Sequence, residues 1–252
     1  MLQQVSISME TFLIGVVIFL SSLLQGMFGF AFMLIALPLL SFILPVKTAV
    51  PLLSLFLMLI AGILTFQLRG EFSYRKIMPL IIGAVFGIPI GIYFLLASNE
   101  NVVKAALGMV LIAYSAYCFQ QKVVRWRLPG WSGYLVGLLA GSLGGAFNIT
   151  GPAVVMYLAT QDRSKLDIFA SLNFFFFVTS IIVVLFHLAV GNITMDIMAA
   201  FLEFTPVMII GLLFGRHLFR KLCEDKYKIS LYVLLLLIGI MLVVQSLISR
   251  QT

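Results

Sequence analysis

Two stretches of this sequence interrupt long apolar segments with glycine, proline and polar side chains. The first runs from Gln25 to Phe30 and the second from Gly144 to Pro152. Glycine and proline are typical of places where a helix unwinds, and a helix that restarts there exposes backbone N–H groups and the positive end of its dipole. No Lys or Arg lies near the middle of an apolar segment. The pattern therefore predicts a site that holds a small anion without basic side chains.

The candidate site draws on both stretches and on one further segment. Asn173 is included because it aligns with Ser54 in an internal comparison of the chain, and both are polar positions in apolar segments. A local hydrogen bond to the helix backbone explains these two side chains equally well, and close helix packing is the alternative explanation for the glycines. The predicted substrate-binding residues are Gln25, Gly26, Phe28, Gly29, Phe30, Asn148, Thr150, Gly151, Pro152 and Asn173.

Other glycines recur every four residues, a spacing typical of helix–helix contacts in membranes. A packing role is predicted for all of them. They are Gly83, Gly87 and Gly91, then Gly133, Gly137 and Gly141, and finally Gly211 with Gly215.

Two ionisable residues are candidates for proton coupling. Glu203 lies about 10 Å inside an apolar segment, and His187 lies near the end of the preceding one. Ionisable groups within membrane segments usually face a cavity or a proton path. The alternative is that Glu203 merely reaches the membrane surface.

An enzymatic site is a weaker interpretation. The segment Gly130 to Gly133 resembles the Gly-x-Ser-Gly motif of rhomboid intramembrane proteases, with Ser132 as nucleophile and His187 as base. That chemistry needs a serine inside a cavity, within reach of its histidine, whereas Ser132 is expected at the membrane edge. The sequence has no metal-ligand cluster, phosphate loop or close pair of carboxylates. No catalytic residue, metal or cofactor is therefore predicted.

The composition indicates a membrane protein that crosses the bilayer several times. Of the 252 residues, 62% are hydrophobic and 10% are charged, against about 25% charged in a soluble domain. Soluble enzymes and nucleic-acid-binding modules are therefore excluded. The net charge of +7 comes from Lys and Arg in short loops, where basic residues orient membrane segments. The two cysteines, Cys118 and Cys223, do not suggest a disulfide framework.

Eight apolar segments divide the chain into two halves of four, since a crossing helix needs about 20 apolar residues. An offset of 119 residues aligns Gly26 with Gly145 and Phe28 with Phe147, which indicates an internal duplication. The predicted domains are a first transmembrane repeat at 1–119, a basic cytoplasmic linker at 120–130 and a second transmembrane repeat at 131–252. The segments are 10–44, 47–68, 77–97, 102–119, 131–160, 166–190, 196–219 and 228–248.

The distribution of basic residues predicts the orientation of the halves. The first segment of each half carries the interruption and is interpreted as a re-entrant hairpin or as two short crossings. With that geometry, thirteen of the sixteen Lys and Arg fall on one side and three on the other. Cytoplasmic loops carry the excess of basic residues. Both termini are therefore predicted outside, and the two halves are predicted to be inverted relative to each other.

The interrupted segments resemble the two repeats of the TauE/SafE sulfite exporter family. In the first repeat the resemblance rests on Gln25 to Phe32, Ala36 to Leu40 and Ala49 to Leu53, and in the second on Gly141 to Pro152. It extends over nearly the whole chain in length and segment order. One departure is Asn148-Ile149-Thr150, where the family often has Gly-Ile-Gly, so that polar side chains replace bare backbone at that interruption.

The resemblance implies transport of sulfite, sulfonates or other small organosulfur anions across the cytoplasmic membrane, often outward. Together with the residues, it predicts an all-α polytopic membrane protein of two inverted repeats that works by alternating access around a central anion site. The expected partners are a small anionic substrate and the lipid bilayer, without nucleic acid, and a homodimer is left open. The alternatives are a non-transporting accessory subunit of a larger membrane complex and a passive anion channel.

Overall fold

The computed structural model describes residues 2–71, 74–119, 129–161, 164–219 and 224–248. Within these ranges the chain is entirely helical apart from its turns, which confirms the predicted all-α polytopic class. The ten helices are α1 (Leu2–Phe28), α2 (Phe32–Leu40), α3 (Val46–Gln67), α4 (Tyr74–Ala97), α5 (Glu100–Phe119), α6 (Ser132–Phe147), α7 (Gly151–Ala159), α8 (Lys165–Ala189), α9 (Met195–Phe219) and α10 (Glu224–Ile248).

Five of these helices are long and apolar enough to cross a membrane. The most buried of the five is α3, which packs along α8 at the centre of the molecule. The five spans are Met9–Phe28, Val46–Gln67, Ile77–Ala97, Leu166–Ala189 and Met195–Leu218.

Both predicted interruptions are present as breaks between helices. The first break separates α1 from α2, and the second separates α6 from α7. Gly29 in the first break has a φ of 79°, and Asn148 in the second has a φ of 52°. Asparagine is among the few residues with a side chain that adopt this left-handed conformation readily. The backbone therefore turns in the same way at both breaks.

The helix boundaries and the backbone hydrogen bonds at the two breaks also repeat at the 119-residue offset. The helix α1 ends at Phe28 and α6 at Phe147, and the bounds of α2 shifted by 119 are those of α7. The Gly29 N–H donates to Gln25 O at 2.7 Å, and the Asn148 N–H donates to Gly144 O at 2.8 Å. The duplication predicted from the sequence thus extends to the local structure of the breaks.

Close helix packing recurs in the same way in both halves. An added Cβ on Gly87 of α4 would collide with the carbonyl oxygen of Leu138 on α6, and one on Gly211 of α9 with that of Phe19 on α1. The remaining glycines of these series lie at similar contacts. Their predicted packing role is confirmed.

The last helices of the two halves pack against each other in opposite directions. Gly108 of α5 lies against Gly239 of α10, and the Ser246 hydroxyl donates to Asn101 O at 2.8 Å. The start of α5 is therefore beside the end of α10.

The second break has the shape of a hairpin. The Tyr157 hydroxyl on α7 donates to Gly130 O at 3.3 Å and lies against Gly133 at the start of α6. The short helix α7 therefore turns back toward the point from which α6 begins.

Several predicted features lie outside the described residues. Of the basic linker at 120–130, only Pro129 and Gly130 are described. Cys223 lies outside as well, as does the side chain of Cys118. The domain boundaries therefore stay predictions.

Candidate functional site

The two breaks meet at the centre of the molecule. Gly151 begins α7 in the second break, and a Cβ added to it would lie 3.1 Å from Phe30 Cβ in the first break. The same Cβ would lie 3.3 Å from Phe176 Cζ on α8. The structure thus brings residues predicted from separate halves of the chain into contact.

A small cavity lies where the breaks meet, and four of the predicted site residues line it. Its volume of about 10 Å³ is room for roughly one water molecule. A sulfur oxyanion is larger than that, so this conformation is closed around its centre. The lining residues are Phe30, Met33, Leu34, Leu57, Asn148, Ile149, Thr150, Gly151 and Phe176.

The cavity lies between equivalent positions of the two halves. At the 119-residue offset, Phe30 corresponds to Ile149 and Leu57 to Phe176, and all four line the cavity. Most of the wall is therefore apolar and is contributed by both halves. The polar end is contributed by the second half alone, through Asn148, Thr150 and Gly151.

Hydrogen bonds fix the orientation of the Asn148 side chain. Asn148 Nδ2 donates to Ser54 Oγ at 3.0 Å, and the Ser54 hydroxyl donates its only proton to Val50 O at 2.7 Å. Ser54 Oγ can therefore only accept from the amide. Asn148 Oδ1 is consequently directed away from Ser54, and it is buried without a hydrogen-bond partner among the described residues.

The start of α7 adds donors to this polar end. Thr150 stands at the N-cap position, yet its side chain makes no capping bond, and its buried hydroxyl has no partner. The first N–H groups of a helix have no acceptor within the helix, and the helix dipole makes this end positive. Pro152 lies in the first turn of α7, and its side chain is outside the described residues. The arrangement can donate several hydrogen bonds to a small anion.

The first break differs because Gln25 occupies it. Gln25 is fully buried, and its Oε1 accepts from the Phe32 N–H at 2.9 Å while its Nε2 donates to Gly29 O at 2.8 Å. The amide therefore caps the start of α2. The expectation that both breaks present unoccupied helix starts is wrong at Phe32, because a side chain seven residues earlier folds back onto it.

At two pairs of equivalent positions, the larger residue lies in one break and the smaller residue in the other. Gln25 aligns with Gly144, and Ala31 aligns with Thr150. A Cβ added to Gly144 would lie 2.6 Å from Thr150 Cγ2. In the first half, the Gln25 side chain of α1 fills the break. In the second half, the side chain of Thr150, just before α7, fills it, and the Thr150 hydroxyl has no partner among the described residues.

We expect Gln25→Leu to destabilise the protein, because it leaves the buried Phe32 N–H and Gly29 carbonyl without their partner. Each unsatisfied buried group costs about 1–3 kcal/mol. A lower thermal unfolding midpoint in detergent would measure the loss. The control is Gln67→Leu at the exposed end of α3, which we expect to unfold at the wild-type temperature. Equal midpoints for the two variants would contradict a capping role.

The remaining predicted residues lie beside the breaks but do not line the cavity. Gly26 packs against the backbone of α9, and Gly29 packs against the ring of Phe169. Asn173 Nδ2 donates to Phe169 O at 2.8 Å, while its buried Oδ1 has no partner. Phe28 is half-buried. For these four residues a role in substrate binding stays a prediction.

Neither candidate for proton coupling reaches the cavity. The Glu203 side chain is exposed on α9, next to Leu202 with 65% of its surface exposed. His187 is fully buried in the last turn of α8, with its Nδ1 3.1 Å from Asn192 Nδ2 and its Nε2 unpartnered. The Ser132 hydroxyl donates to Pro129 O at 2.7 Å, so its proton is engaged locally rather than with a base.

Sequence reasoning missed most of the cavity wall. Met33, Leu34, Leu57 and Phe176 are apolar residues in apolar helices. For two of them, the spacing from a polar residue on the same helix could have indicated their place in the cavity wall. Leu57 follows Ser54 by three residues, and Phe176 follows Asn173 by three, so each lies one turn beyond a polar position on the same helix face.

Comparison with known proteins identifies the family of this chain. No curated protein and no solved structure matches it. A family model described as Sulfite exporter TauE/SafE matches residues 14–242, a range that includes both breaks and every residue lining the cavity. The chain belongs to the TauE/SafE sulfite exporter family.

Proposed function

We propose that this protein is a secondary active transporter that moves a small sulfur oxyanion, such as sulfite or a sulfonate, across the cytoplasmic membrane. The anion is held at the start of α7 and exposed to each side in turn. One observation carries the proposal: Asn148 and Thr150 each keep a buried polar atom without a partner, in a cavity at an uncapped helix start. Membership of a family of sulfite exporters supports the same substrate class.

The charge of the site suits transport rather than permanent binding. None of the residues that line the cavity is charged. A helix start provides the equivalent of about half a positive charge, which attracts a single negative charge. A buried Arg or Lys would add a full charge and a strong hydrogen bond. The site therefore favours a monovalent anion that can still be released.

The arrangement of the halves supports alternating access between inverted repeats. The helices α5 and α10 are equivalent in order and run in opposite directions. The packing of α4 on α6 recurs as packing of α9 on α1. Transporters of inverted repeats bind substrate at the repeat interface and alternate by moving one part against the other.

Contacts between helix ends support the predicted topology. The Val46 N–H donates to Glu100 Oε1 at 2.7 Å, and Lys47 Nζ donates to Leu96 O at 2.9 Å. The start of α3 and the connection between α4 and α5 therefore lie together at one end of the molecule. Few basic residues lie at this end, so the sequence predicts that it faces the outside, as do both termini.

The small size of the central cavity supports a carrier rather than a channel that is permanently open. A channel conducts through a continuous path lined by its selective groups, whereas this conformation leaves room for about one water at the centre. We propose that the membrane potential drives the anion outward. A negative interior assists the exit of each negative charge by about 2.3 kcal/mol per 100 mV.

We expect Thr150→Val to weaken sulfite transport, because it removes a hydroxyl donor at the anion while keeping a similar shape. Hydrogen bonds to charged groups contribute about 1.5–3 kcal/mol, so the KM for sulfite should rise roughly tenfold to a hundredfold. The measurement is uptake of labelled sulfite into proteoliposomes under an imposed potential.

Thr150→Ser is the matched control, since it retains the hydroxyl, and its KM should stay within about threefold of wild type. If Thr150→Val and Thr150→Ser behaved alike, the hydroxyl would have no role. If well-folded wild-type protein moved no sulfur anion under any imposed gradient, the accessory-subunit alternative would replace transport.

A further inference from the structure

Two residues that line the polar end of the cavity carry buried polar atoms, one of which is a hydrogen-bond acceptor. The acceptor is Asn148 Oδ1, because Ser54 can bond only to the Nδ2 side of the amide. The side chain of Asn148 is 2% exposed, and that of Thr150 is 1% exposed. Asn148 Oδ1 and Thr150 Oγ1 are both without partners. A ligand in this cavity can therefore satisfy an acceptor of Asn148 and a donor of Thr150.

A fully deprotonated anion cannot satisfy both groups. Its oxygens only accept hydrogen bonds, so they suit the Thr150 hydroxyl and the first N–H groups of α7. An oxygen of the same anion that faced Asn148 Oδ1 would bring two acceptors together and leave Oδ1 unsatisfied. An anion that carries one O–H group satisfies the acceptor and the donors together.

We propose that the site takes its anion in a form that bears a proton: a monoanion with an O–H group, which for sulfite is hydrogen sulfite rather than the dianion. The O–H donates to Asn148 Oδ1, and the charged oxygen accepts from the Thr150 hydroxyl and the start of α7. This inference rests on the proposed function and specifies its substrate. The proton then crosses the membrane on the substrate, without a titratable side chain at the site.

The surroundings of Asn148 fit this assignment. No residue that lines the cavity is titratable. The titratable groups described on the neighbouring helices are engaged or directed elsewhere: Lys47 bonds to Leu96 O, the Tyr157 hydroxyl to Gly130 O, Asp167 accepts from Ser171, His187 lies beside Asn192, and Tyr74, Arg75, Tyr93 and Tyr134 are exposed.

The first test uses two sulfonates of the same charge and the same number of heavy atoms. Hydroxymethanesulfonate carries an O–H group where ethanesulfonate carries a methyl group. Each competes against uptake of labelled sulfite into proteoliposomes at about pH 6. We expect hydroxymethanesulfonate to compete about ten- to hundredfold better than ethanesulfonate, since the methyl compound leaves Asn148 Oδ1 unsatisfied.

Asn148→Gly is the variant that isolates the acceptor. Glycine adopts the left-handed backbone of this position without strain, and it removes the amide. The preference for hydroxymethanesulfonate should fall to within about threefold in Asn148→Gly, while Asn99→Asp, at an exposed position before α5, should retain it. Equal competition by the two compounds in wild type would overturn the inference, as would a preference that survives in Asn148→Gly.

A second measurement varies pH with sulfite itself. Sulfite changes from monoanion to dianion near neutral pH, whereas methanesulfonate stays a monoanion. Competition by unlabelled sulfite should weaken between about pH 6 and pH 8, in step with the loss of hydrogen sulfite, and competition by methanesulfonate should stay constant. Sulfite that competed equally well or better at the higher pH would overturn the inference. Absence of any sulfite flux would instead refute the proposed function.

Discussion

Asn148→Asp is expected to abolish sulfite transport by the protein that folds, with uptake normalised to the amount of folded protein. The two side chains have the same shape, and aspartate also adopts the left-handed backbone conformation of Asn148. The new carboxylate would lie beside the position of the anion. Two like charges about 4 Å apart repel by about 4 kcal/mol at an effective dielectric constant of 20. We therefore expect the rate of sulfite uptake at low substrate to fall at least about a hundredfold.

The control for this variant is Asn99→Asp. Asn99 is exposed before α5, where its carbonyl accepts from the Val103 N–H at 3.0 Å, and aspartate is as good an N-cap as asparagine. Its uptake rate should equal that of wild type. Wild-type uptake by Asn148→Asp, with the protein monodisperse in size-exclusion chromatography, would place the anion elsewhere in the molecule.

Gly87→Ala is expected to prevent the accumulation of most of the folded protein. The added Cβ would meet the backbone of α6 at Leu138, Gly141 and Ser142. Backbone atoms cannot rotate away as side chains do, so α4 and α6 would have to separate along much of their contact. Overpacking of this kind costs about 1–3 kcal/mol or more. The measurement is the yield and thermal unfolding midpoint of detergent-purified protein.

Gly130→Ala is the matched substitution at a position with open space. Apart from its chain neighbours, no atom of the described residues lies within 4 Å of a Cβ added there. Its yield and unfolding midpoint should equal those of wild type. If Gly87→Ala were as stable as Gly130→Ala, the contact between α4 and α6 would be looser than the structure has it.

The breaks were predictable from the sequence because glycine, proline and polar residues are rare inside apolar segments, and because their spacing repeats at a fixed offset. The capping role of Gln25 was not. A polar residue before a break can point toward a ligand or back onto the backbone. Only the fold shows that the Phe32 N–H comes within reach of its amide.

The cavity wall and the orientation of Glu203 depend on contacts between distant segments. Asn148 and Ser54 are separated by 94 positions, and nothing local to either residue indicates the bond between them. Leu57 and Phe176 cannot be told from core residues by type. The depth of Glu203 follows from its position along the helix, but its exposure depends on which helices pack against α9.

The exchange of Gln25 and Ala31 for Gly144 and Thr150 has a consequence for the stoichiometry of the proposed transport. A duplicated chain could carry two ligands, one at each break. Here the amide of Gln25 already occupies the place that an anion takes at the other break, like a permanent intramolecular ligand. In the proposed mechanism, each chain is therefore expected to carry one anion per cycle, and the first break offers no second site through which occupancy could become cooperative.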